Sequence, residues 1–180
     1  ARVILSLTKR DLISKYWLED ELMRNPIEAY SVLGGEQVLK IPDVVFDLKT
    51  TGGGTVRCSL EVEKTTKPIA RYAKIALAYL GYQKVNVMLF AVDNTAAENI
   101  LRRSFSSKAF VDKQKIPGLF NLNEFKPDDL ETKIRFNDQE LTFKNLLSRL
   151  TKLEIKPLKF SRDDKETAVS LKIVKNQEAA

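Results

Sequence analysis

Residues 85–92 (VNVMLFAV) constrain the fold more than any other stretch, because only Asn86 among these eight is polar. The run is too short for a buried helix. It reads as a strand covered on both faces, which a sheet flanked by helices provides. What precedes it fits such a sheet. Residues 43–49 alternate, with Val44, Phe46 and Leu48 on one face and Asp43, Val45 and Asp47 on the other. A turn follows over 50–54 (TTGGG), and residues 56–62 form the returning strand of a β-hairpin. Thr66-Lys67-Pro68 opens a helix that runs through Leu80 to a Gly81 cap, and Asp93-Asn94-Thr95 leads into another over 96–105.

At the start, residues 8–24 read as an amphipathic helix. Thr8 is its N-cap with Asp11 three residues on, and Leu12, Tyr16 (or Ile13, Trp17) and Leu22 recur at helical spacing until Asn25-Pro26 ends it. A loop with Gly34-Gly35 then leads to Val38-Leu39-Lys40-Ile41 and Pro42-Asp43. The first 105 residues therefore form an α/β core, ordered helix–strand–strand–helix–strand–helix. Residues 106–180 read as an α+β extension packed on that core as one domain. Its elements are a short strand over 119–122, a hairpin over 133–143 around Asn137-Asp138, a helix over 144–153, and strands over 154–160 and 167–174.

Composition narrows the chemistry. The 180 residues are 43% hydrophobic, enough for a sizeable core and too apolar for a disordered chain. There is no histidine and one cysteine, Cys58. This excludes His-based nucleophilic catalysis, zinc sites built on His or clustered Cys, and an intrachain disulfide. What remains is carboxylate, lysine, tyrosine or serine chemistry, or a hard cation held by oxygen. No apolar run of ~18 residues is present, and the start is too soon followed by Lys9-Arg10 to be a signal peptide, so a cytoplasmic protein is expected. The absence of an initiator Met reads as a trimmed chain or a piece of a longer one.

One constellation can carry such chemistry. Pro42-Asp43 begins one strand of the hairpin, and Ser59-Leu60-Glu61-Val62-Glu63-Lys64 ends the other. Glu61 and Glu63 are two apart on a strand and project to one face, with Asp43 beside them. Three carboxylates so placed repel one another, and a divalent cation such as Mg²⁺ or Mn²⁺ relieves that repulsion. Such a cation activates water and stabilises charge on a phosphoryl oxygen. The bland alternative is that Glu61 and Glu63 form the solvated face of an edge strand.

The surroundings favour the first reading. Residues 64–92 contain no acid but carry Lys64, Lys67, Arg71, Lys74 and Lys84. Lys67, Arg71 and Lys74 make a stripe along one side of the helix, while Tyr72, Ala76, Tyr79 and Leu80 are expected to pack on the sheet. Arg102, Arg103, Lys108, Lys113 and Lys115 extend the positive surface of a chain with net charge +6. Cations beside an acidic metal site suit a phosphodiester substrate.

Helix, Pro-Asp on a strand, acid-x-acid on the next strand, and a further helix together resemble the PD-(D/E)xK nuclease superfamily, whose core is restriction-endonuclease-like, a mixed sheet flanked by helices. More narrowly, Tyr16-Trp17-Leu18-Glu19, Ile41-Pro42-Asp43-Val44-Val45, residues 60–67 (LEVEKTTK) and Arg71-Tyr72 resemble plasmid replication-relaxation proteins and MOBC-type mobilisation relaxases. The resemblance spans residues 8–92. Such proteins often carry a winged helix-turn-helix domain ahead of the core, and this chain begins without one.

The resemblance implies a metal-dependent DNA endonuclease or nickase of a bacterial mobile element. In it Asp43 and Glu61 hold Mg²⁺ or Mn²⁺, Glu19 (or Glu21) adds a carboxylate, and Glu63 stands where most members place Lys. Lys67 reaches back into the site, and Lys64, Lys67, Arg71, Lys74, Arg102 and Arg103 hold DNA. Partners beyond DNA would be a second copy or other mobilisation and replication proteins, with no membrane. A catalytically inactive DNA-binding or assembly protein on the same scaffold is the alternative, because Glu63 cannot supply the usual positive charge. Tyr16, Tyr30, Tyr72, Tyr79 and Tyr82 are candidate nucleophiles for covalent nicking, although Tyr72 and Tyr79 read as packing residues. Trp17 reads as core, and Cys58 as a small buried hydrophobe facing away from Glu61.

Overall fold

The computed structural model describes residues 1–25, 30–33, 36–82, 84–136 and 139–153. Gly34-Gly35 of the expected loop, Asn137-Asp138 of the expected hairpin, Pro26 of the expected Asn25-Pro26 helix stop, and the strands expected over 154–160 and 167–174 lie outside them.

A seven-stranded mixed sheet organises the chain, in the order β1-β4-β5-β6-β7-β8-β9. Its strands are β1 (Ile13–Leu18), β4 (Val44–Lys49), β5 (Thr55–Glu63), β6 (Val87–Val92), β7 (Ile116–Asn121), β8 (Lys133–Phe136) and β9 (Gln139–Thr142). β1, β4 and β5 are antiparallel neighbours, β5, β6 and β7 run parallel, and β8 and β9 return antiparallel. A separate two-stranded ribbon, β2 (Tyr30–Leu33) with β3 (Glu36–Leu39), lies against α3 (Ile69–Gly81).

Two hydrophobic cores cover the two faces. On one, α1 (Arg2–Lys9) and α6 (Phe143–Thr151) bury Val3, Ile4, Leu7, Phe143 and Leu147 against Phe46, Leu48, Cys58, Leu60 and Leu89. On the other, α3, α4 (Thr95–Phe105) and α5 (Lys108–Asp112) bury Tyr72, Tyr79, Leu101, Phe105 and Phe110 against Met88, Phe90 and Val92. The sheet is thus the middle layer of an α/β/α arrangement, and it continues past Phe105 because β7 pairs with β6. Every residue of β6 is buried, as its apolar run requires. The β4–β5 hairpin has the expected alternation and register, Val44 opposite Leu60 and Phe46 opposite Cys58. Asn94 caps α4 by accepting from the Ala97 N–H at 2.8 Å. Among the described residues no helix is long and apolar enough to cross a membrane.

The first 25 residues correct the sequence reading. No helix runs over 8–24: α1 ends at Lys9, Asp11 turns the chain at φ +55°, β1 follows, and a short α2 (Glu19–Arg24) completes the segment. Thr8 is therefore in the last turn of α1, its hydroxyl donating to the Ile4 carbonyl, and caps no N-terminus. The physical reason is a β-bulge. Between Ile13, opposite Leu48, and Lys15, opposite Asp47, the chain carries one extra residue, Ser14. Ile13 and Tyr16 consequently both pack on the α1-side core, and a three-residue spacing inside a strand imitates a helical period. The α3 boundaries also shift slightly: Pro68 is the N-cap, and the helix ends on Gly81 with Tyr82 as its cap. Helix α5 was not anticipated from the sequence.

Candidate active site

The sheet register sets out the candidate residues in rows. Glu61 pairs with Phe90 on β6, and Glu63 with Val92, on the face that α3 covers. Asp43 immediately precedes β4, next to the Val44–Leu60 pair, on the same alternation as Val45 and Asp47. Its Oδ2 accepts the Val62 N–H at 2.6 Å, closing the end of the hairpin. The three acids therefore share one end of the β4–β5 ladder.

Glu61 and Glu63 are not a solvated edge. β5 is third of seven strands, and the two residues are 3% and 2% exposed. Each has a lysine. Lys40 Nζ lies 2.8 Å from both Glu61 carboxylate oxygens and also donates to the Ile41 carbonyl at 2.8 Å. Lys67 Nζ sits 2.5 Å from Glu63 Oε1. The Tyr79 hydroxyl donates to Glu61 Oε1 from α3. Burial pushes the Glu61 carboxyl up to about 7, with the nearby Asp43 charge adding to the shift and Lys40 and Tyr79 opposing it. Burial, then the Glu61 charge, holds the Tyr79 phenol well above its usual range. The like-charge repulsion expected from the sequence is thus met in this structure by ammonium groups. Among the described residues, no group of three or more carboxylates is drawn together as an ion cage.

The remaining candidates distribute unevenly. Glu19 opens α2 with its backbone N–H on the Asp43 carbonyl at 3.0 Å, and its side chain is exposed. Glu19, Asp43 and Lys64 line a cavity of about 550 Å³ on the α1 side of the sheet, walled by Tyr16, Leu18 and Phe125. Arg71 and Lys74 are exposed on α3, and Arg102 and Arg103 on α4, the helix beside it. Lys67 precedes α3 and turns to Glu63, so the expected three-residue stripe reduces to Arg71 and Lys74. Glu21 is spent on its own helix, accepting the Leu18 N–H at 2.8 Å.

Tyr72, Tyr79 and Tyr82 are buried, Tyr16 packs against the α1-side core, and Tyr30 lies on β2. Cys58 is buried on the face opposite Glu61. Trp17 is a correction: it is half-buried, with Lys15 Nζ 4.6 Å and the Arg57 guanidinium carbon 4.8 Å from its ring centre. Lys40 is not legible from the sequence as the Glu61 partner, since no motif spacing ties a residue before the Pro-Asp pair to the opposite strand. Tyr79 was placed on the sheet-facing side, but not against the acid.

Comparison of the chain with protein-family models, with curated proteins and with solved structures finds no match.

Proposed function

We propose that this chain is a divalent-metal-dependent DNA endonuclease or nicking domain with a restriction-endonuclease-like core of PD-(D/E)xK type, acting on DNA of a bacterial mobile element. The observation that carries the reading is the meeting of Asp43 and Glu61 at the end of two neighbouring strands, with Asp43 on the Val62 N–H and close enough for its charge to raise the Glu61 carboxyl. The order β1-β4-β5, then the crossover helix α3 and parallel β6, supports it further.

The donors suit the ion. Mg²⁺ takes one or two carboxylates and completes its shell with water and substrate phosphate, so a pair of acids suffices and a third is not required. Asp43 and Glu61 would hold it, with Lys40 leaving the Glu61 oxygens. The bound ion would supply an activated water and stabilise charge at the phosphoryl oxygen. The chain's own groups do the rest. Lys67 keeps the Glu63 charge neutralised beside the site, Tyr79 orients the Glu61 carboxylate from α3, and Arg71, Lys74, Arg102 and Arg103 hold the DNA backbone from solvent-exposed helix faces.

The second reading, a DNA-binding or assembly protein without cleavage, is favoured by the ion pairs: Lys40 on Glu61 and Lys67 on Glu63 already satisfy both buried acids. Supercoiled plasmid separates the two. Nicking or linearisation in Mg²⁺ or Mn²⁺, lost in Asp43→Ala and Glu61→Gln, supports the nuclease. Salt-sensitive plasmid binding without conversion supports the binding protein.

A further inference from the structure

The bulge at Ser14 turns Lys15 and Trp17 onto the sheet face that carries the acids. Ile13 packs in the α1-side core, whereas Trp17 pairs with Val45, and Lys15 with Asp47 and through it with Arg57. On that face the rows run Lys15–Asp47–Arg57, then Trp17–Val45–Ser59, with Glu61 two residues on from Ser59 along β5. Trp17 is two residues from Glu19, whose N–H donates to the Asp43 carbonyl at 3.0 Å.

The two cations on the indole differ in how firmly they are held. Arg57 is fixed on Asp47, its Nε 2.7 Å from Oδ1 and its Nη2 3.0 Å from Oδ2. Lys15 is exposed and lies over the indole ring. An aromatic ring flanked by one anchored and one exposed cation, on an edge strand next to the proposed phosphodiester site, is what an unpaired base needs. The base takes the ring face, and the displaced ammonium moves to the adjoining phosphate. A duplex keeps its bases stacked inside and gains only the cations.

We propose that Trp17, with Lys15 and Arg57, is a stacking platform for one base of single-stranded DNA next to the Asp43–Glu61 site. This rests on the DNA reading above and specifies the form of its substrate: unpaired at the nucleotide beside the cleaved phosphate.

Trp17 is the chain's sole tryptophan, so its fluorescence reports on the platform alone. The test titrates the metal-free protein in EDTA with a single-stranded oligonucleotide and with the matching duplex, following indole emission and, separately, polarisation of a labelled strand. Saturable quenching by the single strand is expected, and little by the duplex. Trp17→Ala should weaken single-strand affinity about 5- to 150-fold, the range for losing one stacked base, with Trp17→Phe recovering most of it and duplex affinity changing less than about twofold. Single-strand binding without quenching, or equal affinity in Trp17→Ala, overturns the platform. Where Trp17→Ala fails to fold, quenching and Trp17→Phe decide. Quenching persists in Asp43→Ala if the platform is right, so a protein that binds but never cuts defeats the nuclease and leaves the platform standing. Failure to bind either form of DNA defeats both.

Discussion

At the scale of single residues, the buried Glu61 carboxyl ties stability to pH. It is pushed up to about 7 in the folded chain against an ordinary value of 4.5. The folded state therefore holds a proton that the unfolded chain has released, and stability falls as pH rises from about 4.5 to about 7. The loss is on the order of 3 kcal/mol at 1.36 kcal/mol per unit. Urea denaturation between pH 4 and pH 8 should show that decline, and Glu61→Gln should flatten it.

Lys40→Met removes the ammonium that offsets the same charge. Its cost should be greater at pH 8 than at pH 5, approaching about 3–5 kcal/mol, the range for leaving a buried charge without its partner. A cost independent of pH would mean that Lys40 acts through packing. These partners explain what the sequence concealed: the acid-x-acid pattern and the Pro-Asp pair were readable, but which cation meets which acid depends on a loop returning over the sheet.

At the scale of elements, strand periodicity was readable wherever the strand was regular. Val44, Phe46 and Leu48 alternate cleanly because β4 has no bulge, and β6 is apolar because it lies between two helical layers. β1 was unreadable for the opposite reason, since one extra residue at Ser14 converts alternation into a helix-like spacing. Close packing between strands can be equally local. A methyl group at Gly118 would lie 2.8 Å from the Phe136 ring and 3.0 Å from Ile134 Cγ2. Gly118→Ala should therefore lower stability by about 1–3 kcal/mol through overpacking of β7 against β8. A thermal melt unchanged from wild type would show that the Phe136 ring yields freely.

At the scale of the whole molecule, net charge and layer order decide what the protein meets. The chain carries +6, and α3 and α4 lie on the same side of the sheet as Glu61 and Glu63. The proposed DNA binding should weaken steeply with salt. Removing two phosphate contacts with Arg71→Gln and Lys74→Gln should reduce the slope of log affinity against log salt by about 1.8 on duplex, at about 0.9 per contact. An unchanged slope would place the DNA elsewhere.

A metal can sit on Asp43 and Glu61 only in exchange for Lys40, and Mn²⁺ binding followed by the electron paramagnetic resonance of the free ion reads this exchange without DNA or turnover. One ion per chain, lost in both Asp43→Asn and Glu61→Gln and bound more tightly in Lys40→Met, is the predicted result. No bound Mn²⁺ in wild type or Lys40→Met, or binding indifferent to both acid substitutions, would contradict it.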